Sequence, residues 1–345
     1  MTTDSVTATS DADRRLAAES NGRLAAESNG RLAAESNRRF TAESNRRFTA
    51  LDDIADADGV FSIIAMDQRN TLRRMFTAVG VDATPEDMNR AKVDVAAALT
   101  PLASGILLDP TIGVPAVNAA NALAPRCGLL IAAEPEKRPT WNGEPRAARD
   151  PEQNGRWVQE LGGDAVKFLI QYRPHRSRTL GEPDLEAEAL DVVRQVVADC
   201  SAAGIPSVVE NLIYAQPGED LTARQREDLI VESARTLDAL GPDLLKLEYP
   251  GSAAGCRRIA EALTGPWAVL SAGVAFEEFQ EVLAISCDEG GASGFIAGRS
   301  VWKEAIGMDA AERERFFADT ARPRLEKCLT AVAGRARSWR EVARH

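Results

Sequence analysis

The chain has 345 residues, of which 44% are hydrophobic and 27% charged, with a formal net charge of −11. That composition suits a soluble globular protein with a substantial core, and the length suits one large α/β barrel. It disfavours bulk nucleic-acid binding, which needs a basic surface. No apolar run approaches the roughly 18 residues of a membrane span, and the polar N-terminus lacks a signal-peptide core, so the expected location is the cytoplasm.

The N-terminus is repetitive. Arg15 to Gly22 (RLAAESNG) recurs at 23–30 and 31–38, then decays through 39–46 to end at Leu51. A period of eight overshoots two helical turns by about 80°, so its Leu and Phe positions form no stripe. Eight is also too short for a solenoid unit. Residues 1–46 are therefore read as a disordered or weakly helical tail, with a partner-binding arm as the functional alternative. Residues 47–345 form the folded domain, and the last repeat copy, with Phe48 and Leu51, is expected to cap it as a helix.

From there strands and helices alternate. Strands are predicted at 60–66, 105–108, 128–132, 164–170, 207–213, 244–249, 267–270 and 294–297. Helices are predicted at 70–78, 85–99, 151–161, 184–203, 222–240, 252–263 and 276–287. Thr84 is a suitable N-cap with Pro85 at the first helical position. A helical tail runs from about 310 to 342, broken near Pro323. Eight short apolar strands separated mostly by helices predict a parallel (β/α)8 TIM barrel. No GxGxxG follows a strand and no GxxxxGK[ST] occurs, which weakens a nucleotide-binding sheet.

In such a barrel alternate strand residues point inward, and active sites lie at the C-terminal strand ends. Four charged residues fall inside or just after strands: Asp67, Lys167, Glu210 and Lys246. In Asp164-Ala-Val-Lys-Phe-Leu-Ile170 the outward face is Val166, Phe168 and Ile170, which turns Lys167 inward. In Leu244-Leu-Lys-Leu-Glu-Tyr249 the same alternation turns Lys246 and Glu248 inward. A self-neutralising ion-pair network is the structural alternative. The chemical reading is that a desolvated lysine beside another cation yields a neutral amine, the nucleophile for a Schiff base, with a carboxylate moving protons.

A second constellation follows the last two strands. Ser271 and Gly273 lie after the seventh, and Gly298 and Arg299 after the eighth, where this fold commonly binds phosphate. Tight turns alone would also explain the glycines. There are only two histidines, His175 and the terminal His345, and the five cysteines form no CxxC pair. A zinc site and a disulfide framework both lose support, and buried reduced thiols are expected.

Seven ordered segments carry a resemblance: Ala65-Met-Asp-Gln-Arg69, Leu107-Leu-Asp-Pro110, Asp164-Ala-Val-Lys-Phe168, Val209-Glu210, Leu245-Lys-Leu-Glu248, Leu270-Ser-Ala-Gly-Val274 and Ala297-Gly-Arg-Ser-Val-Trp302. Over about residues 50–308 the chain resembles the class I family of tagatose 1,6-bisphosphate aldolases, which includes the sulfofructosephosphate aldolases. The resemblance implies a lyase that works without metal or other cofactor. It implies a Schiff base on Lys246, Glu210 as acid/base, and Lys167 and Asp67 in support. It implies that Gln68, Ser271 and Arg299 contact substrate, the last two at a phosphate. The implied reaction cleaves a phosphorylated ketose to dihydroxyacetone phosphate and an aldehyde. That aldehyde is glyceraldehyde 3-phosphate, or sulfolactaldehyde if the substrate is a sulfofructose phosphate. For the far anion, Lys137, Arg138, Arg173 and Arg176 are candidates on loops, though solvated charges are the plainer reading of them. Rival readings are another barrel lyase or isomerase, and a non-catalytic sugar-phosphate-binding barrel. Neither nucleic acid nor membrane is an expected partner, and barrels of this kind commonly self-associate as homo-oligomers.

Overall fold

The protein is described by a computed structural model over residues 51–342. Eight parallel strands close into a barrel: β1 (Phe61–Met66), β2 (Gly105–Leu108), β3 (Gly128–Ala132), β4 (Ala165–Ile170), β5 (Ser207–Asn211), β6 (Leu244–Leu247), β7 (Trp267–Leu270) and β8 (Gly294–Ala297). Neighbours follow chain order, and β1 pairs with both β2 and β8. The connecting helices are α1 (Asn70–Ala78), α2 (Pro85–Leu99), α3 (Gly113–Ala119), α4 (Gly155–Glu160), α5 (Leu185–Ala203), α6 (Ala223–Asp238), α7 (Ala253–Ala262), α8 (Phe276–Gly290) and α9 (Arg299–Trp302).

Strand alternation divides the apolar residues into two layers. Val166, Phe168, Ile170, Leu245 and Leu247 join the layer between strands and helices. Ala165, Leu244, Phe61, Ile63, Leu107, Leu130 and Val208 fill the barrel interior with Leu51 and Ile54. The 51–54 turn packs at the strands' N-terminal end, where Ser104 Oγ donates to the Ile54 carbonyl at 2.8 Å. Gly128 permits this approach, because a Cβ there would lie 2.0 Å from the Asp53 carbonyl oxygen.

Thr84 and Asp87 form the capping box that starts α2 behind Pro85. Other expectations are corrected. Leu51 is buried in a turn and not in a helix, and Phe48 and the repeats lie outside the described residues. The helix expected from 151 begins at Gly155, because the Asn154 side chain accepts from Arg156 N and Trp157 N and caps it there. The helix α3 is absent from the sequence reading, since Pro110, Gly113 and Pro115 argue against one. The Asp109 carboxylate starts it by accepting from Ile112 N at 2.7 Å and Gly113 N at 3.1 Å. A two-stranded hairpin, Thr140–Trp141 with Glu144–Pro145, is likewise unforeseen by the strand pattern. The C-terminal helices are not broken at Pro323. α10 (Ala310–Phe316) widens into a π-helical turn, Phe317–Ala321, and continues as α11 (Arg322–Val332). Pro323 sits in the first turn of α11, and the wider turn before it accommodates the residue that lacks an N–H. A short α12 (Trp339–Val342) ends the described chain.

Candidate active site

Strand register brings the predicted charges together at the C-terminal end of the barrel. Glu210 on β5 pairs with Lys246 on β6, and Lys167 on β4 lies one step further round. Lys167 is 1% exposed and contacts three carboxylates: Asp67 at 2.8 Å, Glu134 at 2.8 Å and Glu210 at 2.9 Å. Burial opposes its charge, but Asp67, Glu134 and Glu210 outweigh burial and hold the ammonium well above the ordinary lysine value. Lys246 has a different environment. Among the described residues its one ion pair is with Glu210 at 3.0 Å.

Glu210 therefore bridges the lysines, Oε1 to Lys246 and Oε2 to Lys167. Burial opposes its charge too, and the two ammonium groups overcome that and lower its pKa. Asp67 behaves alike: burial disfavours ionisation, while Lys167, Lys246 and Lys92 hold the carboxyl well below the usual range. Gln68 turns its amide onto Asp67, Nε2 to Oδ1 at 3.1 Å, and its Oε1 is buried without a partner.

The loops after β7 and β8 meet beside this cluster's strands. Ala272 (φ 50°) and Gly273 (φ 81°) are consecutive left-handed residues. The Val274 N–H closes this turn on the Ser271 carbonyl at 3.1 Å. A Cβ on Gly273 would lie 3.3 Å from Arg299 Cζ, so the glycine leaves the guanidinium its place. Ser271 Oγ lies 3.5 Å from Gly298 N, and Arg299 Nη2 lies 3.4 Å from the Ala272 carbonyl. Ser300 Oγ donates to the Val274 carbonyl at 2.7 Å and ties the two loops. Ser271, Gly273, Gly298 and Arg299 thus converge.

The family model of the DeoC/LacD family aldolases matches residues 61–304, which hold all eight strands and every residue above. The chain belongs to the DeoC/LacD aldolase family. It is an aldolase, and so a lyase. It is 30% identical over 327 residues to tagatose 1,6-diphosphate aldolase 2 of Streptococcus agalactiae serotype III (strain NEM316), covering 84% of this chain and 96% of that one. It is 31% identical over 288 residues to tagatose 1,6-diphosphate aldolase of Staphylococcus haemolyticus (strain JCSC1435), covering 74% and 85%. Among solved structures, an archaeal fructose 1,6-bisphosphate aldolase superposes with a TM-score of 0.57 at 19% identity, covering 83% of this chain and 98% of that one, which shows a shared fold.

In this aldolase two of the proposed far-anion residues are otherwise engaged. Arg173 and Arg176 are each 8% exposed, and not solvated as expected. Arg176 makes a two-pronged contact with Glu144 of the hairpin, at 2.8 and 2.6 Å, and stacks over Trp141. Arg173 pairs with Glu219 and donates to the Tyr214 carbonyl at 3.0 Å. These contacts lock together the loops after β3, β4 and β5. Lys137 and Arg138 remain exposed, with Arg138 Nη1 on Gln171 Oε1 at 3.2 Å. Glu248 also leaves the lysine cluster: it pairs with Arg226 of α6 and accepts from Ile213 N at 2.7 Å.

Glu134 escapes sequence reasoning, although it lies just past β3, where a charge signals the barrel mouth. Its second oxygen accepts from Leu169 N at 3.1 Å. The five cysteines are free and buried, and burial pushes each thiol up to about 12. Among the described residues, no group of three or more His, Cys, Asp or Glu is arranged to hold a metal ion. No described helix is long and apolar enough to cross a membrane.

Proposed function

We propose that this aldolase is a class I enzyme that cleaves a ketose bisphosphate of the tagatose 1,6-bisphosphate type to dihydroxyacetone phosphate and glyceraldehyde 3-phosphate, through a Schiff base on Lys246. The observation that carries the reading is the single Glu210 carboxylate shared by two lysines in unlike surroundings. Lys167, held by three carboxylates, is suited to be a permanent cation. Lys246, with one carboxylate, is the less constrained amine and lies against the group proposed as its base. The similarity to tagatose 1,6-diphosphate aldolases supports the substrate class. A Schiff-base-forming fructose 1,6-bisphosphate aldolase shares the fold, which accords with the chemistry.

The steps balance with the residues present. Glu210 takes a proton from Lys246, and the free amine adds to the C2 carbonyl. Glu210 returns a proton to the carbinolamine hydroxyl, which leaves as water and gives the iminium. The C4 hydroxyl gives up its proton to a carboxylate as the C3–C4 electron pair moves into the iminium and the aldehyde departs. Protonation of the enamine at C3 and addition of water then release dihydroxyacetone phosphate and Lys246. Lys167 offsets the negative charge of Glu210 and Asp67 throughout, while Gln68 orients substrate. Ser271, Gly273, Gly298 and Arg299 hold the C1 phosphate, and Lys137 and Arg138 at the rim face the far phosphate.

Borohydride reduction with dihydroxyacetone phosphate, followed by peptide mass mapping, tests the reading. The expected result is a reduced adduct on Lys246 that is absent from Lys246→Ala, which also loses cleavage. No adduct under conditions that label a known class I aldolase, or cleavage at the wild-type rate in Lys246→Ala, overturns it.

A further inference from the structure

Lys92 is a buried cation that the proposed mechanism does not use. It lies on the apolar face of α2 with Met88, Val95, Ala96 and Leu99, and it is 0% exposed. Its ammonium donates to the Met66 carbonyl at 2.7 Å and to the Gln68 carbonyl at 2.9 Å. It also lies 2.6 Å from Oδ1 of Asp109, a residue equally shut off from solvent. An ammonium carries three N–H bonds, and here three acceptors stand ready for them. Asp109 is fixed in turn by Thr111, Ile112 and Gly113, whose backbone N–H groups donate to it at 3.2, 2.7 and 3.1 Å.

The two carbonyls that Lys92 holds belong to the residues on either side of Asp67. Met66 is the last residue of β1, so beyond it no strand ladder fixes the chain. The side chains of this short turn reach the reacting end of the barrel: Asp67 Oδ2 takes Lys167 at 2.8 Å, and Gln68 keeps an unpartnered buried oxygen. Stability alone is a weak reason for such a cation, because apolar side chains of similar volume often serve a buried position as well as an ion pair does. A methionine could fill this space, but it could not hold two carbonyls in place.

We propose that Lys92 is a positioning residue for the cleavage reaction, pinning the peptide groups on both sides of Asp67 so that Asp67 meets Lys167 and Gln68 faces substrate. The proposal rests on the Schiff-base reading above. A displacement of about 1 Å in such a group is enough to cost on the order of 100-fold in rate.

The test compares wild type with D109N, K92M/D109N and K92Q/D109N. The double variants remove both charges together, whereas D109N leaves Lys92 buried without its carboxylate and is compared only if circular dichroism shows it folded, the double variants deciding the outcome otherwise. Each is assayed for folding by circular dichroism, for borohydride trapping of dihydroxyacetone phosphate, and for kcat and KM with tagatose 1,6-bisphosphate. D109N, which leaves Lys92 its two carbonyls, is expected to keep most of its kcat. K92M/D109N is expected to fold and to trap at Lys246 as wild type does, because the Lys246–Glu210 contact lies on other strands. Its kcat should fall about 100-fold with KM within about threefold. K92Q/D109N should recover part of the loss, since its amide offers two N–H groups. Wild-type kcat in folded K92M/D109N, or an equal loss in D109N, overturns the proposal. Failure of both double variants to fold also overturns it, by assigning Lys92 to stability alone. A wild type that traps nothing sinks the Schiff-base reading instead, and that result is read before any variant is compared.

Discussion

Lys246 lies 3.0 Å from Oε1 of Glu210, on the neighbouring strand. The other oxygen of that carboxylate is taken by Lys167, so Glu210 has a fixed orientation before substrate arrives. A carboxylate held in hydrogen-bond reach of a lysine, and oriented by a third group, is the arrangement that the proposed roles of Glu210 as base and Lys246 as nucleophile require.

Replacing Glu210 by Gln keeps its size and removes the proton acceptor. Lys167 retains Asp67 and Glu134, so the barrel should still fold. We expect kcat to fall about 10²- to 10⁴-fold, the usual share of a general acid/base. Steady-state kinetics beside a thermal melt check this, and a folded Glu210→Gln with wild-type kcat would remove Glu210 from the mechanism.

Arg299 should act mainly in binding. A hydrogen bond to a charged group contributes about 1.5–3 kcal/mol, so Arg299→Ala should raise KM roughly 10- to 100-fold with a smaller change in kcat. Inorganic phosphate should inhibit wild type and lose that effect in the variant. Equal inhibition of the two would place the phosphate elsewhere.

Stability should depend on pH with a definite sign. Asp67 and Glu210 have folded pKa values below their unfolded ones, so the unfolded chain binds more protons as acid is added. Their contribution is complete above an ordinary carboxylate pKa of about 4 and is lost as pH falls through the folded values. Lys167 is shifted upward, so its contribution is complete below about pH 10 and is lost only as pH rises through the folded value. Glu248, raised by burial, runs the other way on the acid side but is a single group. Thermal melts should show a midpoint that is flat from about pH 5 to 9 and falls below about pH 4. Asp67→Asn should have a shallower acid limb, and an unchanged limb would contradict the assignment.

Deleting residues 1–46 should leave cleavage nearly intact. The family match and all proposed site residues lie at or beyond residue 61. Loss of kcat in a folded truncation would give the repeats a part in the reaction.

Much of this aldolase was legible in one dimension. Period-two alternation around Lys167 and Lys246 told which way each lysine points, because an inward turn of either face would have buried the wrong side chains against the helices. Turn glycines after β7 and β8 marked two loops that the fold brings together around Arg299. What the sequence could not say was which charge meets which. Lys167 and Lys246 read alike as lysines on apolar strands, and barrel closure surrounds one with three carboxylates and leaves the other with one. Arg173 and Arg176 read as loop charges, and only the packing of the loops after β3, β4 and β5 supplies their carboxylates. Lys92 did interrupt an apolar helix face, but two of its three acceptors are backbone carbonyls more than twenty residues away, and the third is the Asp109 carboxylate at the end of another strand. Pattern along a chain records which side of an element is buried, whereas pairing between elements is settled by register and closure.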